Sequence, residues 1–200
     1  MKWILESSNI YDYLKEDRYI DYNDLMIKKK SKELFLSFHD EKSKIKSAFE
    51  FVRDQISHSW DINSERVTKK ASEVLKYKEG ICIAKSLLLA ALLRSENIPT
   101  GLCYQRLTLG DTPDTDYIIH GLNAVYLSEE KRWIRLDARG NKENVNAQFS
   151  INEEKIAFPV REEYDEIDYP TIYAKMPETV VNAMKNYNNR KTDEYNLSAL

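Results

Sequence analysis

An α+β fold, with helices first and an antiparallel sheet after them, is predicted by three observations on this 200-residue chain. Apolar residues recur at helical spacing from Glu41 to about Ser57, and a nearly continuous apolar run follows from Cys82 to about Ser95. Beyond Pro99 the pattern changes to strand-like segments separated by polar turns. Helices and strands segregated in this way along a chain build an α+β layout rather than repeated βα units.

Residues 1 to about 40 mix tyrosines, acids and lysines without a clean period, and read as short helices packed on the outside of the main body. Tyr11, Tyr13, Tyr19 and Tyr22 read as packing residues of that segment rather than ligand contacts. Between Glu41 and Ser57, the residues Ile45, Ala48, Phe49, Val52 and Ile56 fall three and four apart, so one helix face packs on the core. Asp61 to Lys70 is a polar connection, and Ala71-Ser72-Glu73-Val74-Leu75 reads as one helical turn before a bend at Gly80. The run from Cys82 is apolar on almost every side, which predicts a buried central helix that Pro99 stops. Strands are predicted over Thr100–Leu109, Asp116–Leu127 and Arg132–Leu136, with Gly110-Asp111-Thr112-Pro113-Asp114 and Ser128-Glu129-Glu130-Lys131 as the turns. After Gly140 the chain is polar and irregular to about Glu163, and Val180–Asn188 reads as a last helix. No repeat or linker divides it, so residues 1–200 are expected to form one domain.

Composition narrows the function classes. The chain is 42% hydrophobic and 32% charged with 13 tyrosines, a balance that suits a globular protein with a polar, aromatic-rich surface. A net charge of -3 leaves no broad basic field for a phosphate backbone, so nucleic acid is not an expected partner. Lys28-Lys29-Lys30 lies beside Lys32 and Glu33 and reads as a solvated face. Met1-Lys2-Trp3-Ile4-Leu5-Glu6 reaches an acid too soon for a signal-peptide core, and Lys85 and Arg94 bracket the apolar run well short of a membrane span. A cytoplasmic location without membrane contact is therefore expected. Two cysteines cannot build a disulfide framework, and neither has a neighbour at zinc-ligand spacing, so no metal and no cofactor are expected. Asp111, Asp114 and Asp116 lack the glycine and terminal glutamate of a calcium loop.

Chemistry concentrates at Cys82. It follows Lys78-Glu79-Gly80-Ile81 and opens the apolar helix, where unpaired backbone N–H groups and the positive helix end stabilise a thiolate. Downstream, strand alternation puts His120, Leu122, Ala124 and Tyr126 on one face, and Trp133, Arg135 and Asp137 on a face of the next strand. A turn centred between Glu129 and Glu130 sets Asp137 opposite Leu122 and diagonal to His120, about 7 to 8 Å apart at the backbone and within side-chain reach. A thiolate that attacks a carbonyl, an imidazole that moves the proton and a carboxylate that orients the imidazole are the three parts of nucleophilic acyl transfer. The backbone N–H of Cys82 supplies one donor for the developing oxyanion, and Trp60, Tyr104 and Gln105 are candidates for substrate contact or a second donor.

Phe51-Val52-Arg53-Asp54-Gln55-Ile56, Ala71-Ser72-Glu73-Val74-Leu75, Gly80-Ile81-Cys82, Leu92-Leu93-Arg94-Ser95-Glu96-Asn97-Ile98-Pro99, His120 with Asn123-Ala124-Val125-Tyr126-Leu127, and Trp133-Ile134-Arg135-Leu136-Asp137 resemble, in order and spacing, the transglutaminase-like core. The resemblance covers about residues 45 to 140. It implies a papain-like α+β fold in which a central buried helix carrying Cys82 packs on an antiparallel sheet carrying His120 and Asp137. It implies those three residues as nucleophile, general base and acid, and orienting carboxylate, acting on protein or peptide amides through a thioester. The family often has Trp two residues after its His and Asp-Pro-Thr at its acid; this chain has Leu122 and Asp137-Ala138-Arg139.

Other readings stand beside this one. Leu122 and the loop after Asp137 also suit a non-catalytic binding or scaffold module on the same fold, and a Cys82–Cys103 disulfide is a redox alternative. Cys103 within a strand reads as a small packed residue, and His39 and His58 as surface or partly buried side chains. His58 stands where similar sequences often carry an aromatic, so a site-lining role is weighed for it.

Overall fold

In chain order the computed structural model, which describes residues 2–110 and 112–186, begins with β1 (Ile4–Leu5), a 3-10 turn at Ile10–Leu14, α1 (Leu25–Phe35) and α2 (Glu41–Gln55). β2 (Ser57–His58), α3 (Ala71–Tyr77), β3 (Glu79–Gly80) and α4 (Cys82–Arg94) follow. The sheet then forms from β4 (Thr100–Thr108), β5 (Tyr117–Leu127) and β6 (Arg132–Leu136), and the described residues end with β7 (Ile167–Asp168), β8 (Thr171–Ile172) and α5 (Glu178–Asn186). The expected last helix begins two residues earlier than its pattern, and residues 187–188 of that expectation lie outside the described residues.

α1 and α2 start where side-chain oxygens satisfy their free N–H groups. Asp24 accepts from Met26 N at 2.7 Å to open α1, and Asp40 accepts from Ser43 N at 2.8 Å to open α2. The apolar face of α2 is the one its spacing predicts, with Ile45, Ala48, Phe49 and Val52 buried. α4 differs in kind: every residue is buried, so it runs through the middle of the molecule and contributes several leucines, each worth about 1.5–3 kcal/mol on burial. Its one basic terminus is also internal. Arg94 donates to the Lys15 carbonyl at 2.6 Å, the Thr100 carbonyl at 3.0 Å and the Ala174 carbonyl at 2.8 Å, so its charge pins the N- and C-terminal flanks around the helix end.

The sheet runs in the order β6-β5-β4-β7, and its β5–β6 register pairs Asn123 with Leu136 and Ala124 with Arg135. That is the register a turn between Glu129 and Glu130 requires. Gly121 of β5 lies against α4, where a Cβ would stand 2.9 Å from the Ile83 Cα. Only glycine permits that approach. On the opposite face Leu122 and Ala124 form a second cluster with Tyr13, Cys103 and Ile172.

The first 40 residues are not an outer layer, as their pattern suggested. β1 pairs in parallel with β8, Tyr13 donates from its hydroxyl to the Ile172 carbonyl at 3.1 Å, and Ile20 and Ile27 are fully buried. Two-residue strands and isolated apolar anchors are too short to print a period in sequence. Of the four tyrosines there, Tyr13 is core, Tyr19 and Tyr22 pack against the core, and Tyr11 is exposed. Lys28 and Lys29 lie on the solvated side of α1. No described helix is long and apolar enough to cross a membrane.

Candidate active site

Three short structural decisions bring Cys82 to the sheet. α3 ends at Lys78 in the left-handed conformation (φ 54°), β3 then pairs in parallel with β2, and α4 starts at once. No side chain caps α4, so the first-turn N–H groups that a cap would occupy stay around the thiol. β6 stops at Leu136, which leaves β5 without a strand partner below Asn123 on that side. The sulfur takes that place: Gly121 N–H donates to Cys82 Sγ at 3.5 Å, and the Ile119 carbonyl oxygen stands 3.9 Å away.

His120 and Asp137 meet as the diagonal hairpin geometry predicts, with Nε2 of His120 2.8 Å from Oδ2 of Asp137 and both residues buried. The carboxylate is held from two further directions, by Arg139 N–H on Oδ1 at 3.1 Å and Ala157 N–H on Oδ2 at 2.9 Å. Phe158 sets its ring edge-on to the imidazole, 5.1 Å away at 87°. Because Nε2 is committed to Asp137, Nδ1 is the nitrogen left to exchange a proton with the thiol.

Electrostatics follow from this arrangement. Burial pushes the Cys82 thiol up, but the His120 charge and hydrogen bonds from His120 and His58 outweigh it and bring it down to about 5. Burial pushes His120 down, yet the charges of Asp137 and Cys82 raise it to about 10. For Asp137, burial is likewise outweighed by His120 and the two backbone donors, which hold it below the usual carboxylate range. The directions of these shifts favour a thiolate–imidazolium pair beside an ionised carboxylate. Cys103 contrasts with it: fully buried among apolar groups, its thiol is pushed up to about 12. Both cysteines are free and sit in different core clusters.

A cavity of about 460 Å³ opens on Cys82 and His120, with apolar walls from Leu107, Ile118, Val145 and Phe158. Arg139, Lys142 and Arg161 also line it. The first two pair with Asp61, at 2.8 Å and 3.2 Å, and Arg161 pairs with Glu166 at 2.7 Å. Of the residues weighed as substrate or oxyanion contacts, Trp60 lines this cavity. Tyr104 packs in the core against Tyr173, and Gln105 lies buried opposite His120 on β4; neither reaches the cavity wall. Sequence reasoning undervalued His58, which is buried at 6% exposure and lines the cavity beside the sulfur. It also missed Phe158, Ala157 and Arg139. Only the aromatic usually found at the His58 position offered a signal for any of these.

An α+β body with a helix-start thiol beside an imidazole–carboxylate pair defines a cysteine-centred site. The sequence profile of the transglutaminase-like superfamily matches residues 28–138, more than half of the chain, and the chain belongs to that superfamily. No curated protein matches it in sequence. Among solved structures, a candidate cysteine protease from Cytophaga hutchinsonii aligns at 19% identity over 66% of this chain and 43% of its own, with a TM-score of 0.53. A protein described as a TGase aligns at 14% identity over 93% of this chain and 52% of its own, TM-score 0.46. The periplasmic domain of TgpA from Pseudomonas aeruginosa, bound to ethylmercury, aligns at 13% over 64% and 48%, TM-score 0.48. The Cytophaga likeness is one of fold, and this chain spans less than half of that protein's length.

Proposed function

We propose that this chain is a cysteine-dependent acyl-transfer enzyme acting on peptide or glutamine-type amides, with Cys82 as nucleophile, His120 as acid and base, and Asp137 as the orienting carboxylate. The observation that carries this reading is the buried 2.8 Å His120–Asp137 contact beside a thiol at an uncapped helix start. In the first half-reaction the Cys82 thiolate attacks the amide carbonyl carbon and the carbonyl electron pair moves to oxygen. The Cys82 N–H donates to that oxyanion. Collapse expels the amine, which takes its proton from the His120 imidazolium, and leaves a thioester. In the second half-reaction neutral His120 takes a proton from water as the water attacks the thioester, and the thiolate departs. Hydrolysis is the default outcome because water is always present as acceptor. Asp137 keeps Nε2 of His120 as the bonded nitrogen through both halves.

A scaffold role without chemistry would suit a sulfur sealed beneath side chains; the cavity opening on Cys82 favours chemistry instead. The test is alkylation by iodoacetamide near neutral pH, read by peptide mass, followed by profiling of cleaved or deamidated peptides with Cys82→Ala as control. Rapid labelling of Cys82 with Cys103 spared, and products that vanish in Cys82→Ala, are expected. Labelling of Cys103 with Cys82 untouched would overturn the reading.

A further inference from the structure

The amine that leaves the tetrahedral centre on Cys82 must come within reach of His120, because His120 supplies its proton. Whatever that amine carries therefore lies along the wall beside the imidazole. This wall is apolar. Ile118 stands two residues before His120 on the same face of β5, Leu107 is paired directly opposite Ile118 on β4, and Phe158 sets its ring edge-on to the imidazole at 5.1 Å. All three line the cavity; Leu107 is buried, whereas Ile118 and Phe158 are half-buried. Phe158 packs on the buried cluster of Val145, Ala147 and Ala157, which backs the wall.

Charge sorts what this wall can take. Arg139, Lys142 and Arg161 line the same cavity. The carboxylates beside them are already engaged: Asp61 holds Arg139 at 2.8 Å and Lys142 at 3.2 Å, and Glu166 holds Arg161 at 2.7 Å and accepts from Thr108 N–H at 3.0 Å. Glu143 is the remaining carboxylate among the described lining residues, exposed on the loop that also carries Lys142. A cationic side chain placed beside Ile118 would lose water without gaining a counter-charge, whereas an aliphatic or aromatic one would cover apolar surface.

We propose that Leu107, Ile118 and Phe158 form the leaving-amine subsite, and that the substrate is a peptide whose residue on the amine side of the attacked bond carries an apolar side chain. This rests on the acyl-transfer reading above. Selection then falls on the half of the substrate that departs first. By microscopic reversibility the same subsite receives an amine acceptor. The acceptor nitrogen attacks the thioester carbonyl carbon, its proton passes to neutral His120, and the C–S bond breaks to release the Cys82 thiolate. Amines with an apolar side chain are the acceptors that compete with water, and amines with a cationic side chain are rejected.

The acetyl-enzyme made from p-nitrophenyl acetate, with p-nitrophenolate as the leaving group, presents this subsite to chosen amines. Leucinamide and argininamide offer an α-amine beside an apolar or a cationic side chain. Both compete for one thioester, and the ratio of their N-acetylated products is read by mass after subtraction of the Cys82→Ala background. That ratio is independent of the folded fraction and of the acylation rate, so a variant that folds poorly still reports. Wild type is expected to favour leucinamide about tenfold or more, the scale of burying one leucine side chain. Ile118→Ala, which removes part of the wall, should lower the ratio severalfold, and Ile118→Asp, which sets a carboxylate there, should turn the preference toward argininamide. A wild-type ratio near one, capture of neither amine, or a ratio unmoved in both variants overturns the proposal. A wild-type chain that is alkylated at Cys82 by iodoacetamide but forms no acetyl-enzyme defeats the acyl-transfer reading itself, and the subsite with it.

Discussion

Replacing Asp137 by asparagine keeps the shape of the side chain and removes only its charge and one acceptor. Both carboxylate oxygens face backbone N–H donors, Arg139 on Oδ1 and Ala157 on Oδ2, with His120 Nε2 also on Oδ2. The asparagine NH2 must therefore oppose one of those donors in either orientation, which costs about 2 kcal/mol of stability for the lost charge-assisted bond. The larger effect is on the thiol. At about pH 6 a group with pKa about 5 is roughly 0.9 ionised, whereas one at the ordinary 9.0 is ionised to about 10⁻³, so alkylation can fall at most about 10³-fold. His120 and His58 remain beside the sulfur in the variant, so a fall of about 10- to 100-fold is expected, with the midpoint of the pH–rate profile moved upward. Acyl transfer should lose more, about 10⁴-fold, the scale on which amide-for-carboxylate exchange acts in hydrolytic triads. The assay is the iodoacetamide rate from acid to alkaline pH by intact mass, with thermal melting as a folding control. A folded variant whose alkylation profile overlays the wild type would refute the coupling of Asp137 to Cys82 through His120.

Gly121→Ala pushes a methyl group to within 2.9 Å of the Ile83 backbone and should cost about 1–3 kcal/mol in chemical denaturation while slowing Cys82 alkylation, since α4 must move off β5. Phe158→Ala removes the ring edge over His120 and opens the His120–Asp137 bond to water; acylation should drop about tenfold with the fold intact by circular dichroism. Lys85 is fully buried, donates to the Ile56 carbonyl, and is pushed down to about 7 from 10.5 by burial and by Arg139. Between those values the unfolded chain binds more protons, so this group makes stability rise with pH across that window. The wild-type minus Lys85→Met difference in unfolding free energy should grow by about 4 kcal/mol from pH 7 to pH 10.5. A flat difference would show that Lys85 keeps its charge throughout.

The helix over Glu41–Gln55, the buried Cys82 helix and the β5–β6 register were legible because each is written in local repetition or in one tight turn. Register in particular is short-range information: Lys131 takes a positive φ of 52° at the turn, and alternation does the rest. The carboxylate–imidazole contact followed from it. His58 was legible only as a residue that could line the site, because two-residue strands in parallel leave no pattern, and its approach to Cys82 is made by the fold of the Asp61–Lys78 connection. Phe158 and Ala157 arrive from an irregular segment with no period to read. Tyr104 and Gln105 lie on a correctly anticipated strand, but the burial of that strand on both faces takes their side chains away from the cavity.

Residue order alone placed a thiol where a helix begins, an imidazole on one strand and a carboxylate just past the end of the next, because each of those placements is set by short-range periodicity. Packing decided what surrounds those three groups. The neighbours that depress the thiol, hold the carboxylate and cover the imidazole come from segments far apart in sequence, and distances between such segments are set by the burial of the whole core rather than by any local pattern.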